Sequence, residues 1–316
     1  MSLDNNQKSI SVVIPVYGCR DCLKTLCEQL DQQLAALTEN YEIILIDDRS
    51  PDNWWDMLPE LQDKHPAVKG IRLSRNYGQQ IVITAGLGAA KGDYVAVMDC
   101  DLQDPPSLLP ELLAKLQDGY DLVLGRRITR QHALHRRLAA KAYAAISSKL
   151  TDSKVDGTQG AYSILSRKVV DAFLLFEEQE RYYLSILRSL GFKVGTVDFS
   201  HRPRHAGKSS YHFRDLVGIG VNGILLQGTT ALHWIVGFGF FVSICGVLAA
   251  VYLVWRYIFT ISQPGWTSLI VLILLCTGVT LMSLGFIGLY IGKIFEQTRR
   301  RPLYVIDVVA ERRTRW

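Results

Sequence analysis

Glycine-rich phosphate loops are missing from the part of the chain where a nucleotide-binding fold would carry them. Neither G-x-G-x-x-G nor G-x-x-x-x-G-K-[ST] occurs in the first 200 residues, so a loop of that kind is not expected to hold phosphates. Nucleic-acid-binding signatures are also missing, and a net charge of +5 is too small to indicate a general nucleic-acid binder. The first apolar run, 10–17, is too short for a signal peptide, so we expect the N-terminal domain to begin in the cytoplasm.

Cysteine is scarce as well. The chain has six cysteines, and Cys19 and Cys22 form a C-x-x-C with no second pair or histidine cluster after it. This spacing alone does not indicate a zinc or redox site, so we expect buried thiols. Cys245 and Cys276 lie in apolar segments and are expected to be packing residues.

Short apolar runs alternate with segments of helical spacing through the first 125 residues. This alternation predicts an α/β domain with a largely parallel, Rossmann-like sheet and helices on both faces. The predicted strands are 10–17, 41–46, 68–73, 94–98, 121–124 and 194–199, and the predicted helices are 21–37, 78–90 and 106–117.

The fourth predicted strand stops at a cluster of acids. Asp99 and Asp101 follow the apolar run, and Gln103 comes next. Hard oxygen donors of this kind suit Mg²⁺ or Mn²⁺, while the alternative is a solvated acidic turn. Asp104 precedes two prolines, which predicts that it is the N-cap of the following helix.

Two other polar motifs follow strands, at 15–18 and 47–52. Because the carboxyl ends of parallel strands share one edge of the sheet, these loops and 99–104 predict a nucleotide-sized crevice there. A metal ion would then have to hold the phosphates.

Basic residues concentrate between 126 and 149 and again between 201 and 208. The first region contains Arg126, Arg136 and Arg137, and the second contains Arg202 and Arg204. Such clusters indicate an anion site or a surface facing acidic lipid headgroups. A solvated basic helix is the alternative for the first region.

The last third of the chain carries two long segments without charge, 235–255 and 265–292, which have 21 and 28 residues. A hydrocarbon core of about 30 Å needs about 20 helical residues, so both segments are predicted to span a membrane. Arginines after the second segment place both termini in the cytoplasm. Residues 211–231 are predicted to be interfacial helices, with an ordinary docking helix as the alternative.

Together these motifs resemble the inverting GT-A glycosyltransferases of family 2 that load a sugar onto a polyprenyl phosphate, such as dolichyl-phosphate mannose synthase and bactoprenol glucosyltransferases. The motifs that carry the resemblance are 12–17, 47–52, 99–105, 125–127 and the two C-terminal apolar segments. The resemblance implies a catalytic domain at 1–210, two membrane helices within 232–293 and a cytoplasmic tail with a short strand at 294–316.

The resemblance also implies roles for matching residues, most of them as ligands of phosphate, metal or base. Asp99, Asp101 and Gln103 would hold Mg²⁺ or Mn²⁺ on the donor diphosphate. The remaining assignments are a nucleotide-sugar site of Pro15, Tyr17, Asp47, Asp48, Asp99, Arg126, Arg202 and Arg204, and an acceptor-phosphate site of Arg126, Arg136 and Arg137.

The implied reaction moves one sugar from a nucleotide sugar, by analogy UDP-linked, to undecaprenyl phosphate at the bacterial inner membrane. A tetramer is implied by the family as well. The chain departs from the family pattern at Ala161, where an acid is usual, so any base role falls to Asp156 or to no residue. The alternatives are a processive polysaccharide synthase and a non-catalytic nucleotide-sugar-binding membrane partner.

Overall fold

The structure is a computed structural model that describes residues 8–128, 159–179, 181–200 and 266–311, together with scattered positions between 238 and 259. These residues belong to two compact units. One unit contains the sheet and includes residues after 301, and the other contains a long C-terminal helix. The predicted interfacial helices at 211–231 lie outside the described residues.

Eight strands and seven α-helices are described. The strands are β1 (Ile10–Val16), β2 (Tyr41–Asp47), β3 (Val68–Leu73), β4 (Tyr94–Val97), β5 (Leu122–Ile128), β6 (Gln159–Ser166), β7 (Val194–Ser200) and β8 (Ile306–Ala310). The helices are α1 (Arg20–Ala35), α2 (Leu58–Lys64), α3 (Gln79–Ala89), α4 (Leu109–Gln117), α5 (Arg167–Leu174), α6 (Tyr183–Ser189) and α7 (Trp266–Thr298). Short 3-10 helices at Trp54–Met57 and Pro106–Leu108 precede α2 and α4.

The strands form one sheet in the order β7-β5-β6-β4-β1-β2-β3-β8. The pairs β1–β2, β1–β4, β2–β3 and β5–β7 are parallel, and β6 and β8 run antiparallel to their neighbours. The predicted α/β class with a mostly parallel sheet is therefore confirmed.

Both faces of the sheet are covered. Successive side chains of the inner strands point to opposite faces, and each face packs against its own hydrophobic core. Val12 and Ile14 of β1 pack with α1, α2 and α4, whereas Val13 packs with α3, α5 and α6. Every residue of β1 is buried. Continuous apolar runs such as this one are typical of parallel strands that are covered on both faces.

The sheet opens beside β1 at its carboxyl end. The pairing of β1 with β4 ends at Val13 and Val97, whereas its pairing with β2 continues to Val16. Proline has no amide hydrogen to donate to a neighbouring strand. Because Pro15 lies beyond the last residue that pairs with β4, no hydrogen bond between β1 and β4 is lost there. The chain after β4 therefore leaves the sheet and forms a loop at residues 99–104, which we call the acidic loop.

The sheet's outer strand comes from the C-terminal segment. β8 pairs antiparallel with β3, from Gly70 with Ala310 to Leu73 with Ile306. Arg49 forms an ion pair with Asp307 at 2.5 Å, and the Gln62 side chain donates to the Ala310 carbonyl at 2.9 Å. The segment predicted as a tail thus supplies one edge of the sheet.

α7 is one continuous helix of 33 residues. Within the part of the chain that the structure describes, no helix is both long and apolar enough to cross a membrane. The two membrane-spanning helices predicted at 235–255 and 265–292 are therefore not confirmed.

Candidate active site

The carboxyl ends of β1, β2, β4 and β5 lie at one edge of the sheet. These four strands run in the same direction, because β1 is parallel to β2 and β4, and both β4 and β5 are antiparallel to β6. Open α/β sheets bind their ligands at the carboxyl edge of the strands.

Asp47, at the end of β2, is fully engaged within the protein. Its side chain is 1% exposed and accepts hydrogen bonds from Arg72 Nε at 2.7 Å and from Trp54 Nε1 at 2.9 Å. It also accepts the Ser50 backbone N–H at 3.0 Å. In this structure Asp47 braces the loop after β2, and its contact with a nucleoside stays a prediction.

Asp48 organises the neighbouring loop after β3. One carboxylate oxygen accepts the Tyr77 N–H at 2.7 Å, and the other accepts the Gly78 N–H at 2.9 Å. Burial raises the pKa of Asp48, and the charge of Asp47 acts in the same direction. Gly78, at φ +87°, adopts a left-handed conformation that glycine tolerates without strain.

The loops after β1 and β2 are bonded to each other. Gly18 N–H donates to Ser50 Oγ at 2.7 Å, and that hydroxyl donates to Asp52 at 2.7 Å. Asp52 in turn accepts the Arg20 N–H at 2.9 Å, at the first residue of α1. Tyr17 is 47% exposed beside this network, whereas Pro15 is buried within β1. The exposed ring of Tyr17 is accessible to a ligand, whereas Pro15 is part of the buried strand that precedes the loop.

The acidic loop after β4 is held by its own side chains. Asp99 accepts a hydrogen bond from Gln79 Nε2 at 2.7 Å, and Asp101 accepts the Gln103 N–H at 3.2 Å. Leu102 has a φ of +62°, a left-handed conformation that is unfavourable for a residue with a side chain. Strain of this kind persists where the surrounding structure fixes the loop.

Asp104 is not a helix N-cap, so that prediction is wrong. The residue is fully buried, and no side chain caps the 3-10 helix Pro106–Leu108 or α4. Its carboxylate instead contacts Arg127 Nη2 at 3.1 Å and accepts the Asp99 N–H at 3.4 Å. An unpaired charge is strongly destabilising in the protein interior, so the buried Asp104 carboxylate pairs with Arg127 and does not cap the helix.

Arg127, rather than Arg126, faces the acids. Its Nη2 lies 3.7 Å from Asp99 as well as close to Asp104, and its guanidinium lies against Gly160, whose added Cβ would be 3.0 Å away. Arg126 points to Asp198 and forms a two-pronged pair at 2.5 and 2.8 Å. Within the described residues, Arg127 Nε is a buried donor without a partner. The arginine that sequence reasoning missed is therefore the one beside the acidic loop.

Burial and neighbouring charges raise the pKa of two of the acids, Asp99 and Asp104. Burial, followed by the charges of Asp104 and Asp101, raises the pKa of Asp99 to about 7, while Arg127 and Gln79 oppose the rise. Burial also raises the pKa of Asp104. Carboxylates that are crowded in a partly closed site favour a cation that relieves their repulsion.

The donor set fits a divalent ion that is shared with phosphates. Asp99 and Asp101 offer carboxylates and Gln103 offers an amide oxygen, and Mg²⁺ is commonly bound through one or two carboxylates plus substrate phosphates. Among residues 8–128, 159–179, 181–200 and 266–311, no group of three or more His, Cys, Asp or Glu side chains gathers to hold a metal alone. The acids alone therefore make no complete metal site.

Two cysteines join loops of this edge, against the expectation of buried thiols. Cys19 is disulfide-bonded to Cys100, with their Cα atoms 6.1 Å apart, and does not pair with Cys22. Cys22 and Cys27 are buried and form no disulfide, whereas Cys245 and Cys276 are exposed and not packed as predicted. No local pattern indicates this bond, because the two cysteines are 81 residues apart in the sequence.

Five predicted site residues lie outside the described residues. Their roles stay predictions. They are Arg136, Arg137, Asp156, Arg202 and Arg204.

Comparison with known proteins identifies the family. Residues 11–174 match the model of glycosyl transferase family 2. Over 300 residues the chain is 33% identical to an uncharacterized glycosyltransferase of Synechocystis, covering 94% of each chain. It is also 33% identical, over 98% of this chain and 96% of the other, to the undecaprenyl-phosphate 4-deoxy-4-formamido-L-arabinose transferase of Proteus mirabilis.

Among solved structures, glucosyl-3-phosphoglycerate synthase from Mycobacterium tuberculosis has a TM-score of 0.48 at 19% identity, over 72% of this chain and 80% of that chain. The mostly parallel α/β sheet and the family match together confirm the expected GT-A fold. Because the family model spans more than half of the chain and relatives match it almost end to end, the chain belongs to glycosyl transferase family 2 and is a glycosyltransferase.

Proposed function

We propose that the protein transfers one sugar from a nucleotide sugar, UDP-linked by family analogy, to a polyprenyl phosphate, with inversion at the anomeric carbon. The observation that carries the proposal is the meeting of Arg127 with Asp99 and Asp104 at the carboxyl ends of β5 and β4. Carboxylates for a divalent ion and a guanidinium for phosphate oxygens are what a diphosphate leaving group requires.

The donor diphosphate would lie between the acidic loop and Arg127. Asp99, Asp101 and Gln103 would hold Mg²⁺ or Mn²⁺, which supplies charge neutralisation to the departing diphosphate. The Arg127 side chain keeps 27% of its surface exposed beside the acids, so its guanidinium is accessible to a phosphate oxygen. Tyr17, exposed at the end of β1, would stack on the base.

The acceptor needs little activation. A phosphate monoester is an anion at neutral pH, so its oxygen attacks the anomeric carbon while the bond from that carbon to the diphosphate oxygen breaks. No proton has to be removed from such a nucleophile, which is consistent with Ala161 in place of an acid. Asp156 is the residue we would test if a base proves necessary.

The lipid acceptor is supported by the relatives and by the C-terminal region. Proteins named undecaprenyl-phosphate 4-deoxy-4-formamido-L-arabinose transferase match this chain over nearly its full length. α7 exposes apolar side chains such as Leu272, Ile291 and Phe295, and segment 265–292 has no charge. We propose that segments 235–255 and 265–292 attach the protein to the bacterial inner membrane, with the catalytic domain in the cytoplasm and Arg136 and Arg137 near the lipid phosphate.

A donor screen tests the proposal. Full-length protein in nanodiscs with undecaprenyl phosphate and Mn²⁺ is given labelled UDP-glucose, UDP-galactose, UDP-N-acetylglucosamine or GDP-mannose, and lipid products are resolved by mass spectrometry. We expect one sugar per lipid from one donor. A long polymer would indicate a processive synthase, and no product from any donor would favour a non-catalytic nucleotide-sugar-binding protein.

A single substitution tests the assignment of Asp101 as a metal ligand. Asp101→Asn should lower the transfer rate at least 100-fold, because it removes a charged ligand of the ion. The matched control is Asp118→Asn, which changes an exposed acid at the far end of α4 and should leave the rate unchanged. Near-normal activity of Asp101→Asn would refute the role of this carboxylate.

A further inference from the structure

We propose that the bond between Cys19 and Cys100 is a reversible redox modification that controls cation binding by the acidic loop. The two Cα atoms are 6.1 Å apart, within the range that a disulfide spans without backbone movement. Both side chains keep 6% of their surface exposed, whereas that of Cys27 is fully buried. The cation part of the inference rests on the proposed metal site, and the redox part does not.

The bond joins two loops of the site directly. Cys100 stands between Asp99 and Asp101, and Cys19 follows Gly18 in the loop after β1. Because Gly18 N–H donates to Ser50 Oγ, the loop after β2 is connected to the same point. Closing the disulfide therefore fixes the acidic loop to two neighbouring loops.

In the disulfide form the carboxylates have protein partners. Asp99 contacts Gln79 Nε2 at 2.7 Å and Arg127 Nη2 at 3.7 Å, and Asp101 accepts the Gln103 N–H at 3.2 Å. We expect both carboxylates to leave these partners when they turn toward one cation, and the backbone around residue 100 to shift with them. A covalent bond at that residue opposes this movement, so the reduced form should bind the cation more tightly.

The chemistry is thiol–disulfide exchange with a small-molecule disulfide such as oxidised glutathione. One cysteine thiolate attacks the oxidant, forms a mixed disulfide and releases one small thiol. The other cysteine thiolate then displaces the second small thiol and forms the Cys19–Cys100 bond. Two protons leave the protein and two electrons pass to the oxidant, and a dithiol reverses the reaction. In a reducing cytoplasm the pair would be open, and it would close under oxidising conditions.

The test compares the two redox states of the full-length protein in detergent micelles. Oxidised glutathione or dithiothreitol sets the state, and peptide mapping without reduction measures the cross-link. Hydrogen exchange follows residues 99–104. Electron paramagnetic resonance measures free Mn²⁺ during a titration at a fixed concentration of UDP, with a protein-free blank, because the ion is shared with donor phosphates. We expect a peptide pair joining positions 19 and 100 only after oxidation, faster exchange after reduction, and a Kd for Mn²⁺ at least tenfold lower in the reduced form.

Three variants make the result specific. Cys19→Ser and Cys100→Ser should each exchange and bind Mn²⁺ like the reduced protein, whatever the oxidant. Cys22→Ser, which changes a neighbouring buried thiol outside the bond, should respond like the wild type. If one of the first two variants fails to fold, the other together with the wild-type redox pair decides.

Each failure has a separate meaning. No cross-linked peptide after oxidation, or a cross-link that leaves hydrogen exchange unchanged, overturns the redox proposal. Equal Kd values for Mn²⁺ in the two states overturn control of the cation. Absence of Mn²⁺ binding in both states refutes the proposed metal site and the control of the cation with it, while the cross-link and exchange results still decide the redox part.

Discussion

Adjacent arginines in β5 are predicted to have very different effects when their charge is removed. Arg127 contacts Asp104 at 3.1 Å, and the two side chains are 27% and 0% exposed. Arg126 contacts Asp198 at 2.5 Å, but the exposed fractions there are 45% and 39%. The substitutions are Arg127→Met and Arg126→Met, which keep an unbranched apolar side chain and delete the guanidinium.

The magnitudes follow from burial. Removing one partner of a buried ion pair costs about 3–5 kcal/mol, because the other charge stays buried and unpaired. Arg127 is partly exposed, so we expect the lower end, about 3 kcal/mol. An exposed pair such as Arg126–Asp198 contributes about 0–1 kcal/mol, since water and salt screen it.

The assay is urea unfolding of the full-length chain, followed by tryptophan fluorescence, at pH 8 and pH 5. At pH 8 Arg127→Met should lose about 3 kcal/mol in its free energy of unfolding, and Arg126→Met less than about 1 kcal/mol. At pH 5 the loss in Arg127→Met should shrink. The pKa of Asp99 is about 7 and that of Asp104 is raised, and both rise further without the guanidinium, so protonation at low pH reduces the buried charge that needs a counter-ion.

A double variant separates charge from packing. Arg127→Met combined with Asp104→Asn removes both charges and keeps an oxygen acceptor for the Asp99 N–H, so it should recover at least half of the loss. Equal losses in the two single variants, or a loss in Arg127→Met that does not change between pH 8 and pH 5, would refute the assigned ion pair.

Two further predictions concern stability. Because the pKa of Asp99 is raised to about 7 from its ordinary value of 3.8, the folded carboxyl takes up a proton that the unfolded one does not. The free energy of unfolding should therefore increase by about 1.4 kcal/mol from pH 8 to pH 6. Urea titrations should show a smaller increase in Asp99→Asn, and an equal increase would contradict the assignment. Gly92→Ala should cost about 2–3 kcal/mol, since its Cβ would lie 2.6 Å from the Ser11 backbone nitrogen. Thermal unfolding should show this loss against the control Gly278→Ala, whose added Cβ has no atom within 4 Å, and equal stability of the two variants would contradict the predicted clash.

Much of the sheet was predictable because its inner strands are continuous apolar runs. The strand Val68–Leu73 has the predicted bounds, and β1, β2 and β4 differ from prediction by one residue at the carboxyl end. The position of the acidic loop could be predicted from the same runs. A loop that follows a central parallel strand lies at the edge of the sheet where the strands have their carboxyl ends.

Contacts between distant segments were not predictable from local patterns. Arg126 and Arg127 are adjacent in β5, whose register with β7 is unbroken from Leu122 to Ile128, so their side chains point to opposite faces of the sheet. Periodicity separates the two arginines but does not show which face meets Asp99 and Asp104. The Cys19–Cys100 bond and the pairing of β3 with β8 likewise join parts of the chain that no short window contains.

The position of β8 has a consequence for how the protein is made. β3 ends at Leu73, and its partner strand begins at Ile306, so the sheet cannot close until the residues of β8 have left the ribosome. Until then the outer side of β3 offers unpaired backbone groups to any other strand, which is a known route to aggregation. Shortened forms that stop before position 302 would keep that edge open permanently, so a stable fragment of the catalytic unit has to bring residues 302–311 with it.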